Sequence, residues 1–292
     1  MTQLPTLTRA THADPAARYA GRAAPERHWK LADIPWRDIR RDAVTSSEEL
    51  FIMVTGASLI ESTTHLYAGN LIKHFAGDEE IARWLKRGWE REELQHGRAL
   101  REYVRHAWPD FDWDTVYAGF LRDFSAVAKP EALLPARSLE LVSRCVVEMG
   151  TAGYYTALSR ASADPVLSQL AHNIFEDEVG HYKHFYAYFL QRRDADSVGR
   201  RHVAGALWHR LKMLQDEDTY IALKHIWAQR YPGADYDRGV YHRVIKGVRH
   251  LAARHFPHPM AVKMLLKPLE LPPPAQRAAH WLVESVARHA LI

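Results

Sequence analysis

The apolar positions of this chain recur at helical spacing almost from end to end. A capping box at Ser46–Glu49 opens the first run. Phe51, Ile52, Val54, Leu59, Ile60 and Leu66 then predict one helix to about Phe75, stopped by Gly77. Asp78, followed by Glu79 and Glu80, reads as the cap and first turn of a second helix. That helix runs through Trp84, Leu85, Trp89 and Leu100 to Trp108-Pro109. Trp113 to Val127 has the pattern of a crossover helix. Pro130 and Pro135 bracket the turn into a third main helix, Ala136 to about Ser162. Asp164-Pro165, an acid at the cap and proline in the first turn, starts a fourth that reaches about Arg192. Its stripe is Leu170, Ile174, Phe175, Phe185 and Phe189.

Beyond it, 198–230, 236–255 and 274–290 are helical in pattern, interrupted at Tyr231-Pro232-Gly233 and at Leu271 to Pro274. No hairpin signal, phosphate-binding loop or dinucleotide fingerprint occurs. The expectation is an all-α fold, a four-helix bundle with a crossover helix and additional C-terminal helices. Residues 1–43 form a flexible leader and packing segment, 44–195 the bundle, and 196–292 a helical extension packed on it.

Against this pattern a few acids stand out of place. Glu61 is the only acid between Leu50 and Gly77, and Glu148 follows Cys145, Val146 and Val147. A carboxylate in such surroundings is expected to be buried, and a buried carboxylate needs a partner. Glu93-Leu-Gln-His96 and Glu178-Val-Gly-His181 each put a carboxylate and an imidazole on one helix face. Glu61 precedes the first pair, and Glu148 the second, by similar distances. The order Glu, Glu-x-x-His, Glu, Glu-x-x-His is what a four-helix bundle needs to hold two metal ions with four carboxylates and two imidazoles. One Glu-x-x-His is weak evidence; two, each preceded by an acid inside an apolar helix, are strong. Two iron ions suit hard carboxylates and neutral imidazoles, with O2 as co-substrate, and manganese would suit one or both positions. Glu140 competes with Glu148, and Glu48 and Glu49 with Glu61, from less apolar flanks. His65 and His184, one turn past Glu61 and His181, are alternative further ligands or packed histidines. Asp177, beside Glu178, is the leading acid to orient an imidazole. The aromatics Trp84, Trp89, Tyr154, Tyr155, Tyr182 and Phe185 read as core.

Charge adds one asymmetry. The chain carries +4 overall, yet residues 200–292 hold 15 Lys and Arg against 7 Asp and Glu. A basic third suits an acidic partner. By charge alone nucleic acid is one candidate and an acidic carrier protein or a ferredoxin-type electron donor another, with a solvated surface that has no partner as the alternative; no nucleic acid is expected. No apolar run is long enough to span a bilayer. Cys145 is the only cysteine, which excludes an intramolecular disulfide and points to a reducing cytoplasm.

At the metal residues the sequence resembles the soluble acyl-carrier-protein desaturases and, more distantly, other ferritin-like di-iron oxidases. Trp89-x-x-Glu92-Glu93-x-x-His96-Gly97, Glu148-x-x-Thr151 and Asp177-Glu178-x-x-His181 carry the likeness, which covers Glu61 to Phe189. It implies a ferritin-like bundle, commonly a homodimer, and an O2-dependent oxidase that desaturates or hydroxylates an acyl chain or similar apolar substrate. It also implies that electrons come from a ferredoxin-type donor and that Thr151 assists O2 activation. An oxygenase of a small amine or specialised metabolite, or a non-enzymatic iron-binding bundle, would share the same ligands. Arylamine oxygenases of this fold carry a histidine where this chain has Ile174. Ribonucleotide reductase small subunits carry a tyrosine where it has Leu100.

Overall fold

The computed structural model describes residues 29–127, 133–213 and 217–290, and they form helices and turns with no strand among them. The leader before Trp29, and Pro130, lie outside the described residues. Twelve α-helices follow three short 3-10 turns between Leu31 and Ala43.

Helix α1 (Glu48–Glu61) starts one residue later than its sequence suggested, because Ser47, not Ser46, is the cap and accepts from the Leu50 amide at 3.2 Å. It is buried on nearly every side, as befits a helix apolar all round. The expected continuous first helix does not form. It breaks at residues 62–64 and resumes as α2 (His65–His74). Three consecutive hydroxyls explain the break: Ser62, Thr63 and Thr64 turn back to donate to the carbonyls of Ser58, Ile60 and Glu61 at 2.6–2.9 Å.

The second run is also divided. Asp78 caps α3 (Glu79–Trp84), a single π turn spans Leu85–Trp89, and α4 (Glu90–Ala107) follows without a gap. Helix α5 (Trp113–Val127) lies between α4 and α9, and α6 (Arg137–Ala161) and α7 (Pro165–Arg192) form the most extensive helix pair. Asp164 caps α7 as expected, accepting from the Leu167 amide at 2.9 Å. The C-terminal third gives α8 (Arg200–Met213), α9 (Glu217–Arg230), α10 (Arg238–His255), α11 (His258–Leu266) and α12 (Pro273–Ala290). Residues 214–216, in the middle of what the pattern joins as one helix, lie outside the description. Helix α11 was not anticipated; Pro257 and Pro268 mask its short apolar run.

Helices α1, α4, α7 and α6 touch in a closed ring: α1 on α4, α4 on α7, α7 on α6 and α6 on α1. Helices α9 and α10 pack on α1, and α8, α10 and α11 on α6. The interior is two apolar clusters. On α1, α4 and α7 the chain passes from one cluster to the other at the out-of-place acids and histidines: between Leu59 and Ala68, between Trp89 and Ala99, and between Ile174 and Tyr182. A polar layer therefore lies between two dry cores.

No helix among the described residues is long and apolar enough to cross a membrane.

Candidate metal centre

The polar layer brings all six expected residues together. Glu61, Glu93, His96 and Glu178 form one group whose ligand atoms lie within 4.8 Å of one another, and Glu93, Glu148, Glu178 and His181 form a second. Glu93 and Glu178 belong to both groups, with Glu61 and His96 completing one and Glu148 and His181 the other. All six side chains are buried.

Each imidazole is turned the same way. His96 Nδ1 lies 3.4 Å from Glu178 Oε1 and 3.9 Å from Glu93 Oε2, while its Nε2 is 3.0 Å from Asp177 Oδ2. His181 Nδ1 lies 3.1 Å from Glu93 Oε1 and 3.4 Å from Glu148 Oε2, while its Nε2 is 2.8 Å from Glu92 Oε2. The outer nitrogen is thus held by an acid and the inner one faces the carboxylates. His96 Nδ1, His181 Nδ1 and Glu178 Oε1 are fully buried with no hydrogen-bond partner. Buried polar atoms are normally satisfied, and three unsatisfied ones within this cluster fit a metal-binding site. Four carboxylates carry the charge of two divalent ions.

Neutral donors fix three of the carboxylates. Trp89 Nε1 donates to Glu148 Oε1 at 3.2 Å, Tyr155 Oη to Glu61 Oε1 at 2.5 Å, and Thr151 Oγ1 to Glu178 Oε2 at 2.7 Å. Trp89 stands at the end of the π turn, where the extra residue per turn rotates it onto Glu148; π turns of this kind cluster at functional sites. Gly97 makes room for the break after Glu61: a Cβ there would lie 2.8 Å from the Ser62 amide nitrogen. On the outer side, Trp29 Nε1 donates to Asp177 Oδ2 at 2.8 Å, and its ring stacks over His96 with centroids 6.2 Å apart. The Gln95 side chain holds the Trp29 carbonyl at 2.9 Å.

Crowding acids in a dry layer shifts their protonation. Burial, then the charge of Glu178, raises the Glu61 and Glu93 pKa values, and burial drives Glu148 up to about 8. Burial would raise Glu178 too, but the neighbouring His181 and His96 imidazoles outweigh it and hold its pKa low. Burial disfavours the charged forms of His96 and His181, yet both pKa values lie well above the usual value. For His96 the nearby Asp177 and Glu178 carboxylates outweigh burial, and for His181 those of Glu148, Glu178 and Glu92. Without cations, protons balance the charge of this cluster.

The competing residues lie elsewhere. Glu140 is buried but salt-bridged to Arg144 at 2.8 Å and bonded to the Leu134 amide. Glu48 pairs with Arg230, and Glu49 accepts from Ser47. His65 is exposed, and His184 is exposed with its Nδ1 on the Gly180 carbonyl; neither joins the metal groups. Sequence reasoning missed Glu92, Trp89, Tyr155 and Trp29 as partners of the site. Glu92 was detectable, since it precedes Glu93 as Asp177 precedes Glu178.

No protein-family model matches the chain, and a comparison with curated proteins found no match.

Proposed function

We propose that the protein is a ferritin-like, non-haem di-iron oxidase in which α1, α4, α6 and α7 are the metal-bearing four-helix bundle and α5 its crossover helix. The observation that supports this most is the pair of buried four-residue groups sharing Glu93 and Glu178, with a matching acid behind each imidazole. Two Fe(II) ions held by these six residues would supply the electrons that activate O2; manganese in one or both positions has the same ligand preference.

The residues themselves do three things. Glu92 and Asp177 keep each imidazole with Nδ1 towards the centre. Trp89, Tyr155 and Thr151 hold the carboxylates by hydrogen bonds that do not add charge. The apolar clusters on both sides keep bulk water away. The Thr151 hydroxyl, donating to a shared carboxylate, holds a hydrogen-bonded proton at Glu178 Oε2.

The reaction we assign is desaturation or hydroxylation of an acyl chain or similar apolar substrate, either free or on an acidic carrier protein. For desaturation, two C–H bonds are lost and a C=C bond forms. O2 takes up those two hydrogens together with two electrons and two protons from a ferredoxin-type donor, giving two waters. The basic C-terminal third supplies a surface for such partners: Arg243, Lys246 and Arg249 all lie on the exposed side of α10.

The test is anaerobic loading with Fe(II), followed by O2 and a reductant in the presence of free and carrier-bound acyl substrates. Two ions per chain and a product lighter by two mass units, or heavier by sixteen, are expected from the mass balance of the two reactions. A single ion per chain, or iron uptake with no O2 consumption, would sink the proposal.

A further inference from the structure

Trp29 joins the two helices that carry the Glu-x-x-His units. Its carbonyl accepts from Gln95 Nε2 on α4 at 2.9 Å, and its indole Nε1 donates to Asp177 Oδ2 on α7 at 2.8 Å. His96 Nε2 lies 3.0 Å from that same oxygen. The indole and the His96 ring are within 6° of parallel. A neutral donor and an imidazole thus converge on one carboxylate oxygen. Held on α4 by its carbonyl, Trp29 fixes where Asp177 sits, and Asp177 fixes the turn of His96.

The segment that follows keeps Trp29 in place. Trp36 stacks on His106 with centroids 5.5 Å apart, and Arg41 Nε donates to the His106 carbonyl at 2.7 Å, both near the end of α4. The Arg40 amide donates to Asp164 Oδ1, the cap of α7, at 2.9 Å, and the Arg40 guanidinium donates to the Ala163 carbonyl. Ile34 and Val44 are buried. The partners move from Gln95 to His106 along α4 and from Asp177 back to Asp164 along α7. Residues 29–44 are therefore a strap along the seam between these helices, tied to both of them at both of its ends. The strap meets the centre at His96, whereas the brace on His181 comes from Glu92, within α4.

We infer that Trp29 is a positioning residue for one metal position only: through Asp177 it sets the aim of His96 Nδ1, and the strap that carries it is energetically coupled to the ion at that end. This rests on the metal reading above. The coupling is reciprocal, so whatever affinity the docked strap adds to the ion, the ion adds to the docking of the strap.

Calorimetric titration of the full chain with Mn(II) in single-ion backgrounds separates the two ends. Glu148→Ala keeps the His96 end, and Glu61→Ala keeps the His181 end. Trp29→Phe retains a ring and removes the N–H. It should weaken Mn(II) about tenfold in the first background and leave it unchanged in the second. Added to Asp177→Ala, it should cost nothing further, because the group it acts through is gone. The ion should in turn slow tryptic cleavage at the exposed Lys30 and Arg37 about tenfold in wild type and in Glu148→Ala, but not in Trp29→Phe or Glu61→Ala. A tryptophan that merely covered the surface would weaken both ends alike. That result, additive losses in the double variant, or cleavage indifferent to bound Mn(II) would each overturn the inference while leaving the metal reading intact. A wild type that binds no Mn(II) would overturn both.

Discussion

Glu92 holds His181, 89 residues away, at 2.8 Å, although in sequence it adjoins Glu93 and lies four residues from His96. Asp177 does the reverse, holding His96 from α7. The two Glu-x-x-His units are cross-braced: each helix orients the imidazole of the other. Glu92→Gln should therefore weaken the ion at the His181 end, and Asp177→Asn the ion at the His96 end. Each loss should be about 10–100-fold in affinity. Sequential titration with Fe(II) or Mn(II), read by calorimetry, distinguishes the two; weakening of the end nearer in sequence would refute the cross-bracing.

Shared and unshared ligands should differ in kind. Glu93→Ala or Glu178→Ala removes a residue common to both groups and is expected to abolish paired binding. Glu61→Ala or Glu148→Ala removes a ligand from one group only and should leave one ion bound. Metal-to-protein ratios by atomic emission check this, and two ions in Glu93→Ala would show the groups to be misassigned.

Thr151→Val should keep the metal, since the hydroxyl is no member of either group, but it removes the donor to Glu178. If the proposed activity holds, productive O2 use slows and peroxide release rises. Unchanged rate and coupling would reduce Thr151 to a packing residue.

The metal-free protein should lose stability as pH rises. The sign follows from the raised pKa values. Glu148 titrates at about 8 in the fold against an unperturbed 4.5, and His96 and His181 well above 6.5. Groups that bind protons more tightly when folded stabilise the fold below their unfolded pKa and lose that contribution as pH climbs to the folded one. Glu178, shifted the other way, acts only in acid. Melting temperature should thus fall as pH rises above the carboxylates' unfolded value of 4.5, with the histidines adding to the fall above 6.5, and divalent metal, which replaces the protons, should reverse the fall while releasing protons to the buffer. A flat profile without metal would contradict the protonated cluster.

Gly97→Ala drives a methyl against the Ser62 backbone, next to Glu61. Overpacking of this sort costs about 1–3 kcal/mol. A thermal-denaturation midpoint lowered together with weaker metal at the His96 end is the expected pair of outcomes.

Much of this arrangement was legible in the chain. Residue type and spacing sufficed for Glu61, Glu93, His96, Glu148, Glu178 and His181, because a carboxylate inside an apolar stripe has few other reasons to be there. Asp177 was legible as an orienting acid, though not which imidazole it serves, since that depends on how α4 and α7 face one another. Trp89 and Tyr155 read as core and are core, and their single polar atoms reach the carboxylates only through packing that no spacing encodes. The break after Glu61 was hidden because Ser, Thr and Thr are tolerated within helices, and the backbone turns there only where Gly97 leaves room for it.

The π turn at Leu85–Trp89 makes the centre vulnerable in a way no substitution reveals. It behaves as one residue too many between the cap at Asp78 and the ligands at Glu93 and His96. Its loss would let α3 and α4 run as one regular helix, comfortable by itself, but out of phase by about 100° on one side of the join. Trp89 could then keep its hydrogen bond to Glu148 only if Asp78 gave up its place at the start of the helix. Shortening the chain by one uncharged, unliganded residue would damage the centre as surely as removing an acid from it.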